Sequence, residues 1–110
     1  MSEVYRADVF ELISEVIGQM PGVRISRPFG HPCFKVDGRI FCFVGEDGIA
    51  LKLTEKRIAQ LVEQDEVYRV FEPMYGTRWK TWLSIERPAA EDYLQDIELF
   101  EESIGIVGGG

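Results

Sequence analysis

The amino-acid sequence predicts a two-layer α+β domain, a largely antiparallel sheet of five to six strands with three helices collected on one face. Three observations carry this expectation. The apolar residues of the first twenty recur at helical spacing. Asp37-Gly38 and Glu46-Asp47-Gly48 join short alternating segments through tight turns, which makes neighbouring strands antiparallel. Two further helical patterns follow, one between strands and one after them. The 110 residues, 45% hydrophobic and 28% charged, suit one globular domain, too apolar for disorder and too charged for a membrane protein. Residues 1–107 read as that domain and 108–110 as a flexible glycine tail.

The first helix is written by Tyr5, Val9, Leu12, Ile13, Val16, Ile17 and Met20, with Arg6, Asp8, Glu11, Glu15 and Gln19 on the opposite face. Pro21-Gly22 stops it. Val23 to Arg27 alternates as a strand, and Pro28, Gly30 and Pro32 bend the chain after it. Cys33 to Val36 and Arg39 to Val44 form a hairpin through Asp37-Gly38, a pair suited to the positive φ of a type I′ turn. Ile49 to Leu53 is the next strand. Thr54 caps a short second helix that carries Ile58, Leu61 and Val62. Val67 to Phe71 is a strand, Glu72 to Gly76 a loop, and Thr77 to Glu86 a long strand. In that last strand, alternation sets Trp79, Leu83 and Ile85 on one face and Arg78, Lys80, Trp82 and Ser84 on the other. Pro88 suits the first turn of the last helix, whose core face holds Tyr93, Ile97, Phe100 and Ile104.

A two-residue loop fixes a register. Val36 pairs with Arg39, Lys35 with Ile40, Phe34 with Phe41 and Cys33 with Cys42. The cysteine pair then falls at a non-hydrogen-bonded position with Cα atoms ~4.5 Å apart, the short end of the disulfide range. Two reduced thiols serving as small apolar fillers are the alternative. The register also sorts the sheet faces. Cys33, Ile40, Cys42, Val44, Ile49, Leu51 and Leu53 form a mostly aliphatic set that reads as core. Phe34, Val36, Arg39, Phe41, Phe43, Ala50 and Lys52 form an aromatic, part-basic set that reads as an open face and a contact surface. Both sets hold large apolar residues, so the inverse assignment is the alternative, as is cover by loops or the last helix.

Charge and motifs narrow the chemistry. The net charge is −7, unevenly spread: residues 21–57 carry +3 and residues 88–110 carry −6. A dense basic stripe is absent, which weighs against a nucleic-acid partner. The one histidine, His31, with Cys33 and Cys42 gives too few donors at the wrong spacing for zinc, so no metal and no cofactor is expected. His31 and Cys33 share a strand face but lack an orienting third group. No phosphate-binding glycine motif occurs. A non-enzymatic protein is therefore expected. The first twenty residues lack the basic start and apolar run of a signal peptide, and two cysteines make no disulfide framework, so a cytoplasmic location is expected.

Pro21-Gly22-Val23, Arg27 to Phe34, Val36 to Phe41, Leu51-Lys52-Leu53, Phe71 to Met74 and Lys80 together form an ordered series. It resembles the TfoX (Sxy) N-terminal domain family and the related MmcQ/YjbR-like proteins. The resemblance spans about residues 10–105 and implies a YjbR-like, secretion-chaperone-like α+β fold. It carries no catalytic residues over. It implies a small regulatory or interaction domain working through protein partners or self-association, with a role in transcriptional regulation. The contact surface expected is Phe34, Phe41, Phe43, Lys52, Lys80 and Trp82. The alternative is nucleic-acid binding, of the double-wing kind attributed to YjbR-like proteins, through Arg24, Arg27, Arg39, Lys52, Lys56 and Arg57.

Overall fold

The sheet has six strands in the order β1-β2-β3-β4-β6-β5, every neighbouring pair antiparallel. The computed structural model describes residues 5–27, 31–74 and 76–108. The bend residues Pro28 and Gly30, the loop residue Tyr75 and the last two tail glycines lie outside them. The chain runs α1 (Ala7–Val16), β1 (Val23–Ser26), β2 (Cys33–Val36), β3 (Arg39–Val44), β4 (Ile49–Lys52), α2 (Glu55–Gln64), β5 (Tyr68–Met74) and β6 (Thr77–Ile85). A 3-10 helix (Ala90–Asp96) and α3 (Ile97–Gly108) follow. The fold is thus the expected α+β domain, with six strands. No helix among the described residues is long and apolar enough to cross a membrane.

Local chemistry accounts for the elements. Thr54 Oγ1 accepts from the Arg57 N–H at 3.2 Å and caps α2. Asp37 and Gly38 take φ of +53° and +75°, the mirror-turn geometry that closes the β2–β3 hairpin. Helix α2 carries the chain across, so β5 becomes the sheet edge and β6 inserts beside β4. Edge position explains why β5 continues to Met74, through the segment read from sequence as a loop. Pro73 lacks an N–H, and an edge strand tolerates that.

The last helical segment is divided. Pro88 precedes it, Asp92 accepts from the Ala89 N–H at 3.3 Å, and a 3-10 stretch precedes α3. Tyr93 anchors that stretch, donating to Ile85 O at 2.8 Å and accepting from the Arg87 N–H at 3.1 Å. Helix α3 itself runs through Gly108, the first residue of the expected tail.

The hairpin register departs from expectation after two pairs. Val36 faces Arg39 and Lys35 faces Ile40, but Phe34 then faces Cys42 and Cys33 faces Phe43. Phe41 is the extra residue of a β-bulge. Its carbonyl accepts from Ser103 Oγ of α3 at 3.4 Å. The slip turns β2 over. Phe34, Val36 and Phe41 join Cys42, Val44, Ile49 and Leu51 in one core cluster with Val9, Ile13, Ile58 and Phe100 of the helices. Phe34 and Phe41, expected on the open face, are fully buried in that core. Cys33 and Cys42 are free thiols, and the slip places them on opposite faces instead of as partners.

Candidate functional site

The other face of the sheet contributes nothing to that core cluster. Paired residues share a face, so a row crosses the sheet through Ser26, Cys33, Phe43, Ala50, Ser84 and Arg69, with Arg24, Lys35, Lys52 and Trp82 beside it. The β5–β6 pairing breaks register between Val70 and Phe71, where the partners jump from Leu83 to Trp79. Strict alternation grouped Trp79 with Leu83. The irregularity releases Trp79 from that face and brings it to Trp82, ring centroids 6.4 Å apart. Phe43 lies 5.3 Å from both Phe71 and Trp82, and Phe71 lies 5.4 Å from Trp79. Four aromatic rings thus cluster on a face where, among the described residues, no helix packs.

Beside them lies a groove of about 710 Å³, a volume in the range of ligand sites. Phe43, Ala50 and Ser84 line it from the sheet, Gly45 to Gly48 from the β3–β4 loop, and Arg69 to Pro73 with Trp79 from the β5–β6 hairpin. His31 also lines it and is exposed. Its charged lining is Glu46, Asp47, Glu72 and Glu86 against the single base Arg69. The loop is held in place. Gly45 O accepts from the Arg6 N–H at 3.0 Å, and Gly45 N–H donates to Gly48 O at 2.8 Å. A Cβ at Gly48 would come within 2.3 Å of Ile85 O and 2.9 Å of the Tyr93 hydroxyl, so the loop reaches β6 only with glycine there.

The expected contact residues divide accordingly. Phe43, Lys52 and Trp82 lie together: Lys52 Nζ stands 5.4 Å from the Trp82 ring and donates to Thr81 Oγ1 at 2.7 Å. Lys80 is exposed on β6, outside the groove lining, and Phe34 and Phe41 belong to the core. Of the six basic residues of the nucleic-acid alternative, only Arg24 and Lys52 share the open face. Arg27 stacks 4.9 Å over Phe10 of α1, and Arg57 pairs with Glu102 at 3.1 Å. Lys56 begins α2, and Arg39 pairs with Val36 on the helix side. The six do not form one surface.

Sequence reasoning missed Phe71, Trp79, Arg69 and the carboxylates. The three-residue spacing of Trp79 and Trp82 was the available signal, since two tryptophans at that spacing share a face only across an irregularity.

Cys33 and Cys42 are both buried, and burial pushes their thiols up, away from the thiolate. Among the described residues no three His, Cys, Asp or Glu side chains gather as metal donors.

Neither the curated proteins nor the solved structures compared with the chain gave a match. The YjbR family model matches residues 18–103, from the turn after α1 to the middle of α3. That span includes all six strands and every residue of the groove, and the chain belongs to the YjbR family.

Proposed function

We propose that this YjbR-family chain is a non-enzymatic interaction domain of the cytoplasm that binds a protein partner through the open face of its sheet. The observation that carries the reading is the cluster of Phe43, Phe71, Trp79 and Trp82 beside a groove that no helix of the described residues lines. Trp79 keeps 42% of its surface exposed, and exposed aromatic clusters of this kind mark interaction sites. The buried, poorly ionised thiols support a role without covalent catalysis. The resemblance to the TfoX N-terminal domain supports a part in regulation. Nucleic acid is the weaker reading, because the groove is acidic and the basic residues are dispersed.

The test places a photo-crosslinking benzoylphenylalanine at Trp79 and, as control, at exposed Glu63 on α2. Crosslinks to a protein from position 79 and none from 63 are expected. Products that vanish with nuclease would move the chain to the nucleic-acid reading, and equal labelling from both positions would remove the open face as the site.

A further inference from the structure

We propose that the groove receives an arginine side chain of the partner, its guanidinium lying on Trp79 or Phe71 and facing the carboxylates of Glu46 and Asp47. The inference rests on the reading that the open face binds a protein, and names what that protein must present.

Charge complementarity carries it. The groove sets four carboxylates against one guanidinium. Arg78 approaches Glu72 at 4.0 Å, with both side chains largely exposed, so that pair neutralises little. The ion pairs among the described residues leave Glu46, Asp47 and Glu86 unengaged. Elsewhere the chain supplies its own cations to its rings: Lys52 to Trp82, Arg27 to Phe10 and Arg87 to Tyr68. Among the described residues no cation stands over Phe71 or Trp79, the two rings lining the groove from the β5–β6 hairpin. An acid-lined aromatic surface attracts a cation by field and by ring quadrupole together. Arginine fits better than lysine, because its planar, weakly hydrated guanidinium stacks on a ring while donating to carboxylates. The Arg6–Gly45 and Gly45–Gly48 backbone hydrogen bonds fix the loop that carries Glu46 and Asp47, so less backbone ordering is needed on binding. A polyanion would meet the same carboxylates as repulsion.

The experiment follows the Trp79 indole resonance of the full chain by NMR during titration with a capped Gly-Arg-Gly-Arg-Gly peptide. The same peptide with citrulline for arginine keeps the shape and removes the charge. Saturable shifts with the arginine peptide are expected, weakening as salt is added, with citrulline binding at least about tenfold weaker. Two variants should each weaken the arginine peptide about fivefold or more: Glu46→Gln with Asp47→Asn, read at the Trp79 indole, and Trp79→Leu, read at the neighbouring Trp82 indole. Amide spectra that match the parent establish their folding. Equal binding of the two peptides, no shift at all, or unchanged affinity in the Glu46→Gln, Asp47→Asn variant overturns the proposal. If the crosslink from position 79 to a protein persists in that variant at parent level, the open-face reading stands and the arginine inference alone falls. If position 79 gives no crosslink, the open-face reading fails as well.

Discussion

Asp96 is fully buried, and both its carboxylate oxygens accept hydrogen bonds. Arg87 donates to its two oxygens at 2.8 and 3.0 Å, and Tyr68 donates to it at 2.7 Å. Arg6 in turn donates to the Arg87 and Pro88 carbonyls. These few side chains tie β5, the end of β6, the 3-10 helix and the start of α1 together. Leaving one ion of a buried pair without its partner is far worse than replacing both. Arg87→Met is therefore expected to cost about 3 kcal/mol or more in urea denaturation, and adding Asp96→Leu should recover much of it. A second residue-scale prediction concerns alkaline pH. Burial raises the Cys42 thiol from its ordinary 9.0, and burial with Asp96 raises the Tyr68 hydroxyl from 10.0. Folded values above unfolded ones mean a contribution present below the unfolded pKa and lost as pH rises toward the folded one. Stability should fall above about pH 9, and less steeply in Cys42→Ala. Equal slopes would remove the thiol as the cause.

Two irregularities in strands decide the site. The bulge at Phe41 turns β2 over and takes Phe34 and Phe41 into the core. The break between Val70 and Phe71 sets Trp79 beside Trp82. The prediction at this scale is a contrast. Phe41→Ser should destabilise by about 3–5 kcal/mol or more, as large-to-small changes in a filled core do. Trp79→Ser, at a ring 42% exposed, should cost about 1 kcal/mol or less. Thermal unfolding of the two checks the assignment, and similar losses would place Trp79 in the core. The β3–β4 loop is the other decisive element. Gly48→Ala must move backbone by a carbonyl oxygen and a buried hydroxyl, at about 1–3 kcal/mol. It should also shift the Trp79 indole resonance, because the loop lines the same groove.

At the scale of the molecule, helices fill one face of the sheet and leave the other to its own side chains. The net charge of −7 concentrates in the last quarter of the chain, where Glu98, Glu101 and Glu102 lie on α3, so the helix layer is acidic as well as the groove. Non-specific DNA affinity comes mainly from phosphate neutralisation. Single- and double-stranded oligonucleotides are therefore expected not to bind by fluorescence anisotropy at about 50 mM salt. Micromolar affinity that collapses at about 200 mM salt would show Arg24, Lys35 and Lys52 acting as a phosphate track.

Much of the architecture was legible without coordinates. The helical spacing of Val9, Ile13 and Ile17, the Thr54 cap and the Asp37-Gly38 turn are local matters, decided by residues within a few positions of one another. They determined the element order, the antiparallel sheet and where along the chain the helices fall. Alternation also assigned Cys42, Val44, Ile49 and Leu51 correctly to the core. It failed at Cys33, Phe34, Val36, Arg39, Ile40, Phe41 and Trp79, because a single inserted residue reverses every side chain beyond it. Whether a strand bulges depends on what receives the extra residue. Here a space beneath α3 and the Ser103 hydroxyl receive Phe41, and both come from residues some sixty positions away. The buried Arg87–Asp96–Tyr68 cluster and the acidic wall of the groove have the same character. Their charges are plain in the sequence, but only packing brings them to one place and removes water from some while leaving it on others.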